Sequence, residues 1–90
     1  MEKKYILTDE TIKVKGHILH RIKAIKSFFG VKAGDLGGYI ESETNLSHEG
    51  NCWVADNAKA YENSKVTDDA VIFGSTIISG NMQIYGCTQI

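Results

Sequence analysis

From Val54 onward, an aliphatic residue returns every six positions: Val54, Ala60, Val66, Ile72, Ile78, Ile84 and Ile90. Two places before each stands Cys52, Ala58, Ser64, Ala70, Thr76, Met82 or Thr88, all small except Met82. Two places after come Asp56, Glu62, Asp68, Gly74, Gly80 and Gly86, followed by Asn57, Asn63, Asp69, Ser75, Asn81 and Cys87. Side chains two apart on a strand share a face, so each aliphatic anchor and its small companion point inward together. Glycine and asparagine tolerate positive φ and make good corners. Each hexad therefore reads as one short strand and one corner. Three hexads close a triangular turn of about eighteen residues, and turns stack through backbone hydrogen bonds as in repeat proteins.

This pattern predicts an all-β chain whose residues 45–90 form a short hexapeptide-repeat β-solenoid of about two and a half coils. Asn45–Gly50 reads as a degenerate first hexad with His48 at the anchor. The pattern resembles the hexapeptide-repeat left-handed β-helix family, which has an aliphatic anchor and a small residue two before it. Left-handedness is what that resemblance implies, since a period carries no hand. One departure is Tyr61, Phe73 and Tyr85 at the position after the anchor, where the family usually has a small or acidic residue.

Residues 1–44 read as a β-hairpin cap on the N-terminal end of the repeat, the two parts making one compact unit. Tyr5-Ile6-Leu7 is a short strand. Thr11–Val14, a turn at Lys15-Gly16, and His17 through Lys26 form a hairpin. The glycines of Gly34–Gly38 suit a bend into the first coil. This head carries eight Lys/Arg and six Asp/Glu, whereas residues 45–90 carry two Lys and five Asp/Glu. The overall charge of −1 excludes a global field steering the chain toward nucleic acid or anionic lipid. No apolar run has the length of a membrane span and no signal peptide opens the chain. Cys52 and Cys87 form no close pair, which fits free thiols and a cytoplasmic setting in a bacterial host cell.

Taken whole, the segments YILTDET (5–11), RIKAI (21–25), VKAGDLGGYIESETNLS (31–47) and GNCWV (50–54) resemble small phage and prophage proteins built on such repeats. The resemblance implies phage origin and carries no catalytic residues. It also implies that a role against host immunity, such as anti-CRISPR inhibition of a defence complex, is open to the chain.

No catalytic, cofactor or metal site is expected. His48, the only histidine of the repeat, reads as a partly buried side chain of an imperfect first coil rather than an acyl-transfer base. His17 and His20, three apart on a strand, point to opposite faces and cannot share a metal. Gly34–Gly38 lacks the Lys-Ser/Thr of a phosphate loop. Lys13, Lys15, Arg21, Lys23 and Lys26 read as an ordinary solvated surface, so direct nucleic-acid binding is not expected. The acidic corners Asp56, Glu62, Asp68 and Asp69 read as turn formers.

The outward apolar residues carry the functional expectation. Trp53 stacks under Val71 and Ala55 under Phe73 on one wall, while Tyr61 and Ile77 lie on the next. Exposed apolar patches with aromatic anchors mark interfaces, so Trp53, Tyr61, Val71, Phe73 and Ile77 are the expected partner-binding residues. The opposing reading has the head folding back over this wall. A homodimer is expected through the last coil, at Met82, Ile84, Tyr85 and Ile90. The function expected is a non-enzymatic module binding a host protein. An acyltransferase-like oligomer and a purely structural oligomer are the alternatives.

Overall fold

A computed structural model describes residues 2–90. Strands β1 (Tyr5–Val14) and β2 (His17–Ala24) form the hairpin, closed by Lys15 and Gly16, both at positive φ (48° and 86°). That pair of dihedrals is the tight hairpin turn whose twist matches the flanking strands. The segments Tyr5–Leu7 and Thr11–Val14, expected as separate strands, belong to one strand with a register shift between Leu7 and Thr11. Strand β3 (Leu36–Ile40) follows, then a short 3-10 turn at Glu43–Asn45.

Six two-residue strands complete the chain: β4 (Trp53–Val54), β5 (Lys59–Ala60), β6 (Lys65–Val66), β7 (Val71–Ile72), β8 (Ile77–Ile78) and β9 (Gln83–Ile84). They pair in parallel, Trp53 with Val71, Lys59 with Ile77 and Lys65 with Gln83, each an advance of eighteen residues. The expected turn length is thus present in the backbone. Anchors Val54, Ala60, Val66, Ile72 and Ile78 and their small companions Cys52, Ala58, Ser64 and Ala70 are fully buried. Among the described residues the fold is all-β with a single 3-10 turn, and no sheet closes into a barrel.

The first turn departs from the expected register. Tyr39 pairs with Lys59, Ile40 with Ala60, and Leu46 bridges Val66, each an advance of twenty rather than eighteen. Leu46, not His48, occupies the interior place and is fully buried. The two extra residues fall between Leu46 and Val54, which swings His48 outward onto the hairpin.

Strand β3 joins the hairpin to the six short strands. It pairs antiparallel with β2 and parallel with β5, so one sheet runs β1-β2-β3-β5-β8 from hairpin into repeat. Gly37 and Gly38 serve this junction through close packing rather than as a bend. A Cβ on Gly38 would collide with the Ala58 carbonyl oxygen, and one on Gly37 would lie 2.6 Å from that of Val54. The bend itself is made at Gly34, where φ is +97°.

Every corner after the first turn uses the left-handed region: Asp56, Glu62, Asp68, Gly74, Gly80 and Gly86 have φ between 55° and 68°. The acidic corners do more than turn the chain. Asp56, Glu62 and Asp68 accept the backbone N–H of Gly74, Gly80 and Gly86 at 2.9, 2.8 and 3.0 Å. Each carboxylate thereby satisfies the donor of the corner stacked upon it.

Candidate functional site

The three histidines bear first on catalysis. His48 stacks on the Tyr5 ring at 4.2 Å. Its Nδ1 accepts the Lys4 N–H at 3.0 Å, which places the ring proton on Nε2, 2.7 Å from Glu43 Oε1. With both nitrogens engaged it ties the N-terminal segment to the first turn. This hydrogen bond and the nearby Lys3 ammonium hold the Glu43 carboxyl below its usual range. His17 lies between two carboxylates, Nδ1 2.8 Å from Glu41 and Nε2 3.4 Å from Glu62. Its Glu41 hydrogen bond, the largest cause, raises its pKa. His20 reaches the Thr8 carbonyl through Nδ1 at 3.1 Å. His17 and His20 thus have separate partners, as their spacing on the strand predicts. Among the described residues no His/Cys/Asp/Glu group is arranged to hold a metal.

The basic positions divide. Arg21 donates to the Gly37 carbonyl and the Tyr39 hydroxyl, each at 2.6 Å, and to Glu10 at 3.0 Å. It locks the hairpin to β3. Lys26 pairs with Glu2 at 2.8 Å, while Lys13, Lys15 and Lys23 are exposed. Lys4, unremarked in the sequence, is fully buried. Its ammonium donates to the Cys52 carbonyl at 2.6 Å and the Gly50 carbonyl at 3.3 Å, and lies 4.8 Å from the Phe28 ring centre. Burial lowers the pKa of Lys4 and raises that of the neighbouring Cys52 thiol.

The expected partner-binding residues do not form one exposed surface. Trp53 points out from its strand but is only 5% exposed. Phe28 and Tyr5 cover its ring edge-on, at 5.2 and 6.3 Å. Tyr61, 4% exposed, lies under Leu19, Tyr39 and His17. The hairpin has folded over both aromatics, so neither offers a partner a large face. Val71 is half-buried, whereas Phe73 and Ile77 are 45% and 50% exposed on different walls. Of the expected dimer residues, Met82, Tyr85 and Ile90 are exposed and Ile84 is half-buried.

A groove of about 680 Å³ opens beside the buried tryptophan. One side is the connection from β2 to β3 with the first residue of β3, contributing Phe29, Asp35 and Leu36; the other is the repeat wall, with Trp53, Ala55 and Val71. Asn51, Asp69, Cys87 and Gln89 complete the wall side. Phe29 and Leu36 are 85% and 57% exposed, large apolar side chains on the rim. The connection is held by its own hydrogen bonds, Phe28 with Val31 in both directions and Ala24 N–H to the Asp35 carbonyl at 2.9 Å. Val71 is the one expected partner-binding residue that lines the groove and keeps substantial exposure. No histidine lines it. Phe29 and Leu36 carried no periodic signal: they become a groove only because the connection lies against a wall formed 15 to 60 residues later.

No protein-family model matches the chain. Over 72 residues it is 42% identical to a protein of Escherichia coli (strain K12) called "Uncharacterized acetyltransferase YdcK". The match takes in 80% of this chain but only 19% of that protein, so the chain spans less than a fifth of its relative.

Proposed function

We propose that the chain is a hexapeptide-repeat β-solenoid, left-handed as its resemblance implies, whose hairpin-capped end is a non-enzymatic protein-binding module. The groove carries this reading: a large apolar opening on a well-tied framework, with no histidine or metal-ligand set in it. Exposed apolar openings of this kind mark interfaces. A host-defence complex remains the proposed class of partner, from the phage-like segments. Self-association through Met82, Tyr85 and Ile90 is proposed beside it, on their exposure, and light scattering of the purified chain tests it.

Paired capture from bacterial lysate tests the binding reading. Phe29→Ser with Leu36→Ser removes two exposed rim residues at little cost in stability. The wild type is expected to retain a partner that the double variant loses at an unchanged melting temperature. Equal capture by both would contradict the reading.

The relative's name favours a second reading, acetyl transfer by a longer assembly of which this chain is one part. His20 is the histidine to suspect, because among the described residues its Nε2 makes no hydrogen bond. Acetyl transfer by an assembly containing this chain that disappears in His20→Ala would establish it, and transfer unchanged in that variant would remove His20 from it.

A further inference from the structure

We infer that the groove takes a partner segment in which a lysine or arginine is flanked by large apolar side chains. This rests on the protein-binding reading above and specifies the chemistry of the partner.

Nine of the chain's eleven carboxylates sort into three kinds, while the other two, Asp9 and Glu49, are exposed and lie outside the groove. Glu2, Glu10, Glu41 and Glu43 pair with Lys26, Arg21, His17 and both Lys3 and His48. Asp56, Glu62 and Asp68 cap the glycine corners. Asp35 and Asp69, both exposed, are the two that line the groove, one from each side. Asp35 accepts the Lys32 N–H through one oxygen at 2.9 Å, and Asp69 accepts the Asn51 N–H through one oxygen at 3.2 Å. Each thus keeps a second oxygen, and among the described residues neither has a cation within ion-pair distance. No lysine, arginine or histidine lines the groove. The nearby buried cation, Lys4, is sealed against the Cys52 and Gly50 carbonyls.

The groove therefore combines an apolar surface of Phe29, Leu36 and Val71 with two carboxylates that make no ion pair among the described residues, Asp69 acting on the Lys4 ammonium only from a distance. Charge complementarity of this kind selects the partner and speeds encounter, while the apolar contacts supply most of the affinity. A long cationic side chain suits such a site, since its methylene stem packs on apolar walls while its head meets the carboxylates.

Trp53, the only tryptophan, lines the groove, so its emission reports occupancy. The test is selection of a randomised short-peptide display library against the full chain, with binding of enriched peptides followed by Trp53 emission. Enriched sequences are expected to carry lysine or arginine beside aliphatic or aromatic residues. Asp35→Asn and Asp69→Asn keep the oxygen that accepts each backbone N–H and remove only the charge. Each is expected to weaken binding about two- to five-fold, the range for an exposed ion pair, and to reduce its salt dependence. Enriched peptides without a cation, or equal binding by the double Asn variant, would overturn the inference. The groove reading would survive that result if Phe29→Ser with Leu36→Ser still abolished binding. No enrichment, or peptides that bind that variant equally well, would overturn both.

Discussion

At the scale of single residues, buried polar groups make the strongest demands. Asn45 is fully buried. Its Oδ1 accepts the Glu41 and Ser42 N–H groups at 3.1 and 3.0 Å, and its Nδ2 donates to the Glu62 and Ser64 carbonyls at 3.2 and 2.8 Å. It fastens the short 3-10 turn to the level above. Asn45→Leu strands the Ser42 N–H and the Glu62 and Ser64 carbonyls, while the Glu41 N–H keeps the Ala60 carbonyl at 3.2 Å, and each buried orphan costs about 1–3 kcal/mol. A loss of at least about 2 kcal/mol is therefore expected in urea unfolding, and a loss within error of zero would show that the turn is held by something else. His17 makes a weaker, pH-dependent tie. Its Glu41 hydrogen bond raises the folded pKa above the usual histidine value of about 6.5, so its stabilisation is full below that value and is lost as pH rises through the raised pKa. Glu41, held low chiefly by the His17 hydrogen bond, contributes above its unfolded pKa of about 4.3 and loses that contribution as pH falls through the depressed value. The pair is thus most effective between about pH 4.3 and 6.5. Unfolding midpoints should decline from about pH 6.5 upward, and His17→Ala should flatten that decline. An unchanged slope in the variant would remove His17 from the account. Neither role was legible beforehand. Asn45 was read as the start of a hexad, and His17 acquires its partners from residues 24 and 45 positions away.

Among elements, the hexad was legible because one interior position in six is filled by an aliphatic side chain whatever the rest of the sequence does. Ile72 shows the consequence: it is fully buried between Val54 below and the next level above. Ile72→Asp places an unpaired charge among aliphatic neighbours, a cost that exceeds the stability of so small a domain. The circular-dichroism melting transition is expected to vanish, and a native melting temperature would refute the register. The first turn was misread for an instructive reason. Counting back six from Val54 lands on His48, whereas Leu46 is the aliphatic residue two places earlier. Strict periodicity concealed the two-residue insertion, and only the preference for an aliphatic interior points to Leu46. The acidic corners were recognised as turns, but their capping of the glycines eighteen residues later depends on stacking geometry that a linear reading does not supply.

On the scale of the whole molecule, the hairpin decides which surfaces remain available. Trp53 and Tyr61 were expected on an exposed wall but are buried, and the residues that cover them, Tyr5, Phe28 and Leu19, come from the other half of the chain. Covering the wall also creates the groove, because the connection between β2 and β3 lies over Trp53 and leaves Val71 open beside it. The central claim is that this groove meets the partner. Backbone-amide hydrogen exchange of the chain, alone and with its captured partner, tests it most directly. Slowed exchange is predicted at residues 29–36, 51–55 and 69–71. Protection confined to the walls carrying Ile77 and Tyr85, with those segments unchanged, would contradict it.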